Sequence, residues 1–76
     1  MKNSSDDSRK LELRSELVRH LETAEKMAED GVISSYGKAA SVQYDIERLD
    51  RGGNEQWAQQ RVKNWDAVLS TSNKNN

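Results

Sequence analysis

The stretch "AEDGVISSYGKAA", residues 28–40, decides the fold, because it joins two segments with helical patterning. Gly31 follows the last apolar residue of the first pattern. Just after the last residue of such a pattern, helices commonly end on a glycine with left-handed backbone geometry. Because a second helical pattern begins a few residues later, the stretch predicts a tight αα-hairpin.

The joint itself combines apolar and capping residues. Val32 and Ile33 are β-branched and apolar, and we expect them to fold back and close the open end between the two helices. Ser34 or Ser35 is the predicted N-cap of the second helix, since serine is a preferred N-cap residue. The predicted elbow of the hairpin is Gly31, Val32, Ile33 and Ser34.

Three segments show apolar residues recurring with a period near 3.6, which is typical of amphipathic helices. The predicted helices cover about residues 6–30, 35–50 and 55–69. Their apolar stripes are Leu13, Leu17, Leu21, Ala24 and Ala28; Ala39, Val42, Ile46 and Leu49; and Ala58, Val62, Trp65 and Leu69. Between the second and third segments, the stretch 51–54, "RGGN", is expected to end the second helix with glycine in the C-terminal cap region, and Asn54 is the predicted N-cap of the third.

The pattern predicts an all-α, small three-helix protein. One helical domain is expected over residues 6–69, because 76 residues suffice for only one domain. Residues 1–5 and 70–76 are polar and are predicted to be disordered ends. The third helix is expected to pack along the hairpin or onto a second copy.

Composition narrows the class of protein. The chain has no cysteine, which excludes disulfides and zinc–thiolate sites, and it has no apolar run long enough for a membrane span or signal peptide. A cytoplasmic protein is therefore expected. Residues 1–30 carry six basic and eight acidic side chains, and residues 31–76 carry six and five. Neither half is the basic surface that binding to a phosphate backbone requires.

Catalytic and metal-binding residues are not predicted. His20 is the single histidine, and Glu16 one turn before it gives at most two ligands to a metal. The "RGGN" segment at 51–54 follows a helix and lacks the lysine of a phosphate-binding loop. We predict no catalytic residues, no cofactor and no small-molecule substrate.

The two tryptophans are the most informative side chains for function. Trp65 falls on the apolar stripe and is predicted to lie in the core, whereas Trp57 is predicted to be partly exposed. Tryptophan is enriched at the energetic centres of protein interfaces. The hypothesis for a partner-binding surface is Trp57, Arg61 and Val68.

These features predict a non-catalytic protein-protein interaction module, such as an adaptor, regulator, inhibitor or chaperone-like subunit. It is expected to act as an oligomer or with a partner protein. The alternative is a dimeric DNA-binding regulator, with the elbow as the turn of a helix-turn-helix. That alternative has less support, because Lys38 is the only cationic residue of 35–45. It requires five cations to converge on one face: Lys38, Arg48, Arg51, Arg61 and Lys63.

Overall fold

The structure is a computed structural model that describes the backbone of residues 2–74 and the side chains of residues 8–70. It has three α-helices, α1 (Lys2–Glu29), α2 (Ser35–Asp50) and α3 (Glu55–Lys74), and no strand within that described part. The predicted all-α, three-helix fold is therefore confirmed. None of the helices, over the described residues, is both long and apolar enough to cross a membrane.

The helix bounds differ from the prediction at the two ends of the chain. Helix α1 begins four residues before the predicted start, and α3 extends five residues beyond the predicted end. The added stretches contain no proline or glycine, so nothing in them interrupts helical hydrogen bonding. Met1, Asn75, Asn76 and the side chains of 2–7 and 71–74 lie outside the described residues. The predicted disorder of residues 1–5 and 70–76 stays a prediction.

The long helix α1 is the support on which the other two helices pack. Arg14 donates two hydrogen bonds to Asp50, at 2.8 and 3.1 Å, which place the end of α2 beside the first half of α1. Arg9 Nε lies 3.8 Å from Glu55 Oε2, so α3 begins near the start of α1. Leu69 lines one hollow with Met27, so the two helices also lie together at their far ends and are parallel. The chain thus runs up, down and up, and both α2 and α3 pack more closely against α1 than against each other.

The Arg14–Asp50 pair also changes the acidity of its members. The hydrogen bonds from Arg14, with its charge, hold the pKa of the Asp50 carboxyl below its ordinary value. The same hydrogen bonds raise the pKa of the Arg14 guanidinium. Because the carboxyl pKa is lowered on folding, the attraction is complete at neutral pH and is lost as acid protonates Asp50.

The core follows the predicted stripes. Its buried members come from all three helices and form one cluster, with Leu21, Ala39 and Val62 partly buried against it. The buried members are Leu13, Leu17, Ala24, Met27, Val42, Ile46, Leu49, Ala58, Trp65 and Leu69. The predicted position of Trp65 in the core is confirmed, since only 6% of its surface is exposed.

Both joints are built in the same way. Gly31 has a φ of 109°, and the amides of Gly31 and Val32 donate to the carbonyls of Ala28 and Met27. Gly52 has a φ of 114°, and the amides of Gly52 and Gly53 donate to the carbonyls of Leu49 and Arg48. This pair of bonds is the Schellman motif, which satisfies the last carbonyls of a helix through a left-handed residue.

The elbow differs from the prediction in its apolar pair. Val32 packs against the core, but Ile33 is 77% exposed and does not close the end of the hairpin. The reason lies in the turn, which directs Val32 inward one residue after the left-handed glycine and leaves the next side chain facing outward. Of the two apolar residues expected to close the end of the hairpin, only Val32 is therefore packed inward.

The two N-caps behave differently. Asn54 is confirmed as the cap of α3, because its side-chain oxygen accepts a hydrogen bond of 2.7 Å from the amide of Trp57. Ser34 occupies the N-cap position of α2 but has helical backbone angles and forms no capping bond. Ser35 is completely buried, and its hydroxyl oxygen has no hydrogen-bond partner.

We expect Gly31→Ala to lower the free energy of unfolding by about 1–2 kcal/mol, because the positive φ is unfavourable for an L-residue. The control is Gly37→Ala, within α2. An added Cβ meets no atom within 4 Å at either glycine, so the comparison isolates the backbone. Gly37→Ala should raise stability by about 0.5–1 kcal/mol. Urea unfolding followed by circular dichroism measures both, and equal effects would contradict the assigned turn geometry.

The caps give a second paired comparison. Asn54→Ala should lower the free energy of unfolding by about 0.5–2 kcal/mol, since it removes the hydrogen bond to the Trp57 amide. Ser35→Ala should raise it by about 1 kcal/mol, because it removes a buried hydroxyl that has no partner. The same unfolding assay applies, and a loss of stability in Ser35→Ala would show that the hydroxyl is bonded.

Candidate functional site

A buried carboxylate connects α2 to α3. Asp45 of α2 accepts hydrogen bonds from Arg61 Nε at 2.9 Å and from Trp65 Nε1 at 2.7 Å, both on its Oδ2 atom. The two donors are four residues apart on α3, so they lie on the same helix face and reach the same oxygen. The arrangement sets the position of α3 along α2.

The energetics of this contact depend on its burial. The Asp45 side chain is 5% exposed and that of Arg61 is 32% exposed, so the carboxylate has lost most of its water. A buried charge is tolerated when it is paired and hydrogen-bonded. Arg61 supplies the compensating charge, and its guanidinium also lies 5.4 Å from the centre of the Trp65 ring.

Beside this contact lies an open groove of about 440 Å³ between the two helices. We call it the α2–α3 groove. Tyr44 lies on the α2 side with 57% of its surface exposed, and Trp57 lies on the α3 side, partly buried. The groove is lined by Ala40, Ser41, Tyr44, Asp45, Arg48, Trp57 and Arg61.

Trp57 is held in place from several directions. The Arg48 guanidinium lies over its ring, 5.2 Å from the ring centre. A Cβ added to Gly53 would come within 3.2 Å of two ring carbons, so glycine at this position allows the ring to approach the backbone. The Asn54 cap fixes the Trp57 amide. The indole is therefore presented to the groove in a defined orientation.

The charge of the groove is positive. Its two arginines face one carboxylate, Asp45, and that carboxylate is already bonded to Arg61. A second hollow of about 300 Å³ shares Tyr44 and Arg48 with the groove and adds Arg51. We call it the Gly52 hollow; its lining is Tyr44, Arg48, Arg51, Gly52 and Gly53.

The five cations of the DNA-binding alternative are only partly brought together. Arg48 and Arg61 line the α2–α3 groove, and Arg51 lies in the adjoining hollow. Lys38 and Lys63 line neither. Arg61 is paired with Asp45, whereas Arg48 and Arg51 take part in no ion pair within residues 8–70.

The predicted partner-binding residues are also separated by the fold. Trp57 and Arg61 meet in the α2–α3 groove, whereas Val68 is partly buried against the core and does not line the groove. Seven residues of helix place it about 10 Å beyond Arg61. There α3 packs along the second half of α1, so Val68 contributes to the core.

Two groove residues, Tyr44 and Asp45, are not among the site residues that the sequence predicts. Tyr44 lies two positions after Val42 and off the apolar stripe, so the stripe did not include it. The sequence does indicate that Asp45 is buried, because it follows Val42 by three residues and precedes Leu49 by four. That spacing places it on the buried face of α2, where a carboxylate requires a partner.

His20 and Glu16 do not form a ligand set. The described residues contain no group of three or more side chains that could hold a metal ion. His20 Nε2 is buried without a hydrogen-bond partner, and His20 lies at a hollow of about 410 Å³ between α1 and α3. The elbow residues form the joint of the hairpin and line neither the α2–α3 groove, nor the Gly52 hollow, nor the hollow at His20.

No protein-family model, curated protein or solved structure matches this chain.

We expect Arg61→Met to lower the free energy of unfolding by about 2–3 kcal/mol, because it leaves the Asp45 carboxylate buried without a counter-charge. Adding Asp45→Asn to that variant should restore part of the loss, since the amide is neutral and its oxygen can still accept from Trp65. Chemical unfolding of both variants and of Asp45→Asn alone gives the coupling. A double variant less stable than Arg61→Met would contradict the pairing.

Proposed function

We propose that this protein is a non-catalytic interaction module that binds another protein, or a second copy of itself, through the α2–α3 groove. The observation that carries the proposal is the fixed indole of Trp57 opposite the exposed ring of Tyr44. Aromatic side chains that are held rigidly before binding lose little entropy when a partner covers them.

The chemistry of the groove supports protein binding. Tryptophan, tyrosine and arginine are the residues most enriched at the energetic centres of interfaces, and all three line this groove. Further apolar side chains are exposed outside the groove, at Leu11, Ile33 and Tyr36. The roles that fit are those of an adaptor, regulator, inhibitor or chaperone-like subunit in the cytoplasm.

The alternative is a dimeric DNA-binding regulator. Arg48 and Arg51 favour it, because they lie next to each other at one exposed surface. Non-specific DNA binding usually relies on more phosphate contacts than two arginines per protomer supply. Protein binding therefore has the stronger support.

The test compares two tyrosines of α2. Tyr44→Ala should abolish capture of groove-binding peptides from a displayed random library, and it should abolish self-association in sedimentation equilibrium if a second copy is the partner. Tyr36→Ala is the matched control, because Tyr36 is 63% exposed but does not line the groove. Equal behaviour of the two variants would contradict binding at the groove.

The tryptophans separate binding from folding. Trp57→Ala should keep most of the helicity and weaken binding by about 2 kcal/mol or more. Trp65→Ala should lower the free energy of unfolding by about 3–5 kcal/mol, because it empties a core position. Circular dichroism measures the helicity and the free energy of unfolding, and fluorescence anisotropy with a selected peptide measures the binding. If Trp57→Ala unfolds the chain, Tyr44→Ala remains the deciding variant.

A further inference from the structure

We propose that the segment bound in the α2–α3 groove is acidic and places an aspartate or glutamate carboxylate on Arg48. This inference rests on the proposed function, because it names the chemistry of the partner at the same groove. The occupant is a segment of another protein chain in which an acidic residue lies beside an apolar one.

Arg48 is the group that would receive the carboxylate. It is exposed and, within residues 8–70, it takes part in none of the ion pairs. Its guanidinium lies over the Trp57 ring, an arrangement that orders the side chain while leaving N–H groups free to donate. A guanidinium held in this way can donate two parallel hydrogen bonds to one carboxylate.

Within residues 8–70, no carboxylate forms an ion pair with Arg48. Asp45 is the single acidic residue of the α2–α3 groove, and its Oδ2 atom already accepts from Arg61 and Trp65. Glu47 precedes Arg48 directly in sequence but lines neither the groove nor the Gly52 hollow. Arg51 in that hollow adds a second positive charge beside Arg48. The surface is therefore complementary to a negatively charged ligand.

The aromatic residues of the groove favour a peptide over a nucleic acid. Tyr44 and Trp57 line the groove together with Arg48 and offer apolar surface, which an apolar side chain next to the acidic residue can cover. A DNA duplex presents a row of phosphates over a longer surface. Residues 1–30, which include all of α1, carry two more acidic than basic side chains and oppose such a polyanion.

The experiment uses the whole chain and a displayed library of random linear peptides. Peptides are retained if they bind the wild-type chain and Tyr36→Ala but not Tyr44→Ala. We expect the retained sequences to be enriched in aspartate or glutamate next to an apolar residue. In fluorescence anisotropy, Arg48→Gln should weaken binding of a synthetic retained peptide by about tenfold or more.

A double-mutant cycle tests the contact itself. Replacing the acidic peptide residue by its amide should weaken binding to the wild-type chain by a similar factor and should change binding to Arg48→Gln little. Arg19→Gln is the matched control, because Arg19 is an exposed arginine on α1 that lines neither the groove nor the Gly52 hollow. It should leave binding unchanged.

The outcomes separate this inference from the proposed function. Groove-dependent peptides that are neutral or basic, or that bind Arg48→Gln as well as wild type, would overturn the acidic partner and leave protein binding in place. A stable dimer that requires Tyr44, with no peptide retained from the library, would also overturn the acidic partner and leave protein binding in place. If no peptide is retained, no dimer forms and Arg48 is required for the shift of a DNA duplex, the acidic partner and the protein-binding function are both overturned.

Discussion

The register of α3 along α2 depends on one oxygen atom, Oδ2 of Asp45. Helices α2 and α3 make few contacts with each other, and this oxygen receives both the Arg61 guanidinium and the Trp65 indole from α3. Apolar packing alone tolerates small sliding of one helix along another, whereas two directed hydrogen bonds to one atom do not. The position of α3 also determines where Trp57 stands, and with it the width of the groove.

The same contact explains why the positive charge of Arg48 in the groove is not neutralised by Asp45. A carboxylate buried beside Arg61 satisfies that arginine, and Arg48 is ordered by an aromatic ring in place of an acid. Stacking on an aromatic ring fixes a guanidinium without neutralising it. The groove thus contains a guanidinium that is both ordered and charged. Its order reduces the entropy cost of binding, and its charge selects the ligand.

Much of the fold could be predicted from local patterns. The stripe of Leu13 and Leu17, the glycines at 31 and 52 and the Asn54 cap each act within a few residues of chain, so their outcome is visible in the sequence. The groove could not be predicted in this way. It lies beside the contact of Asp45 with Arg61 and Trp65, which are 16 and 20 positions away in sequence and reach Asp45 when α3 packs in the bundle. Ile33 was mispredicted for a related reason, because apolar character does not reveal the direction a turn gives a side chain.

The repeated turn at Gly31 and Gly52 has a consequence for the order of folding. Each turn closes through hydrogen bonds between residues at most five positions apart, and such local contacts form rapidly. Because α2 packs more closely against α1 than against α3, the Gly31 turn closes a hairpin with its own packing, whereas α3 is held mainly by α1. While α3 is undocked, the Asp45 carboxylate remains hydrated. Its dehydration therefore accompanies the docking of α3 and not the closure of the hairpin. We expect α3 to be the first segment to exchange its amide hydrogens when stability falls, with the hairpin remaining intact behind it.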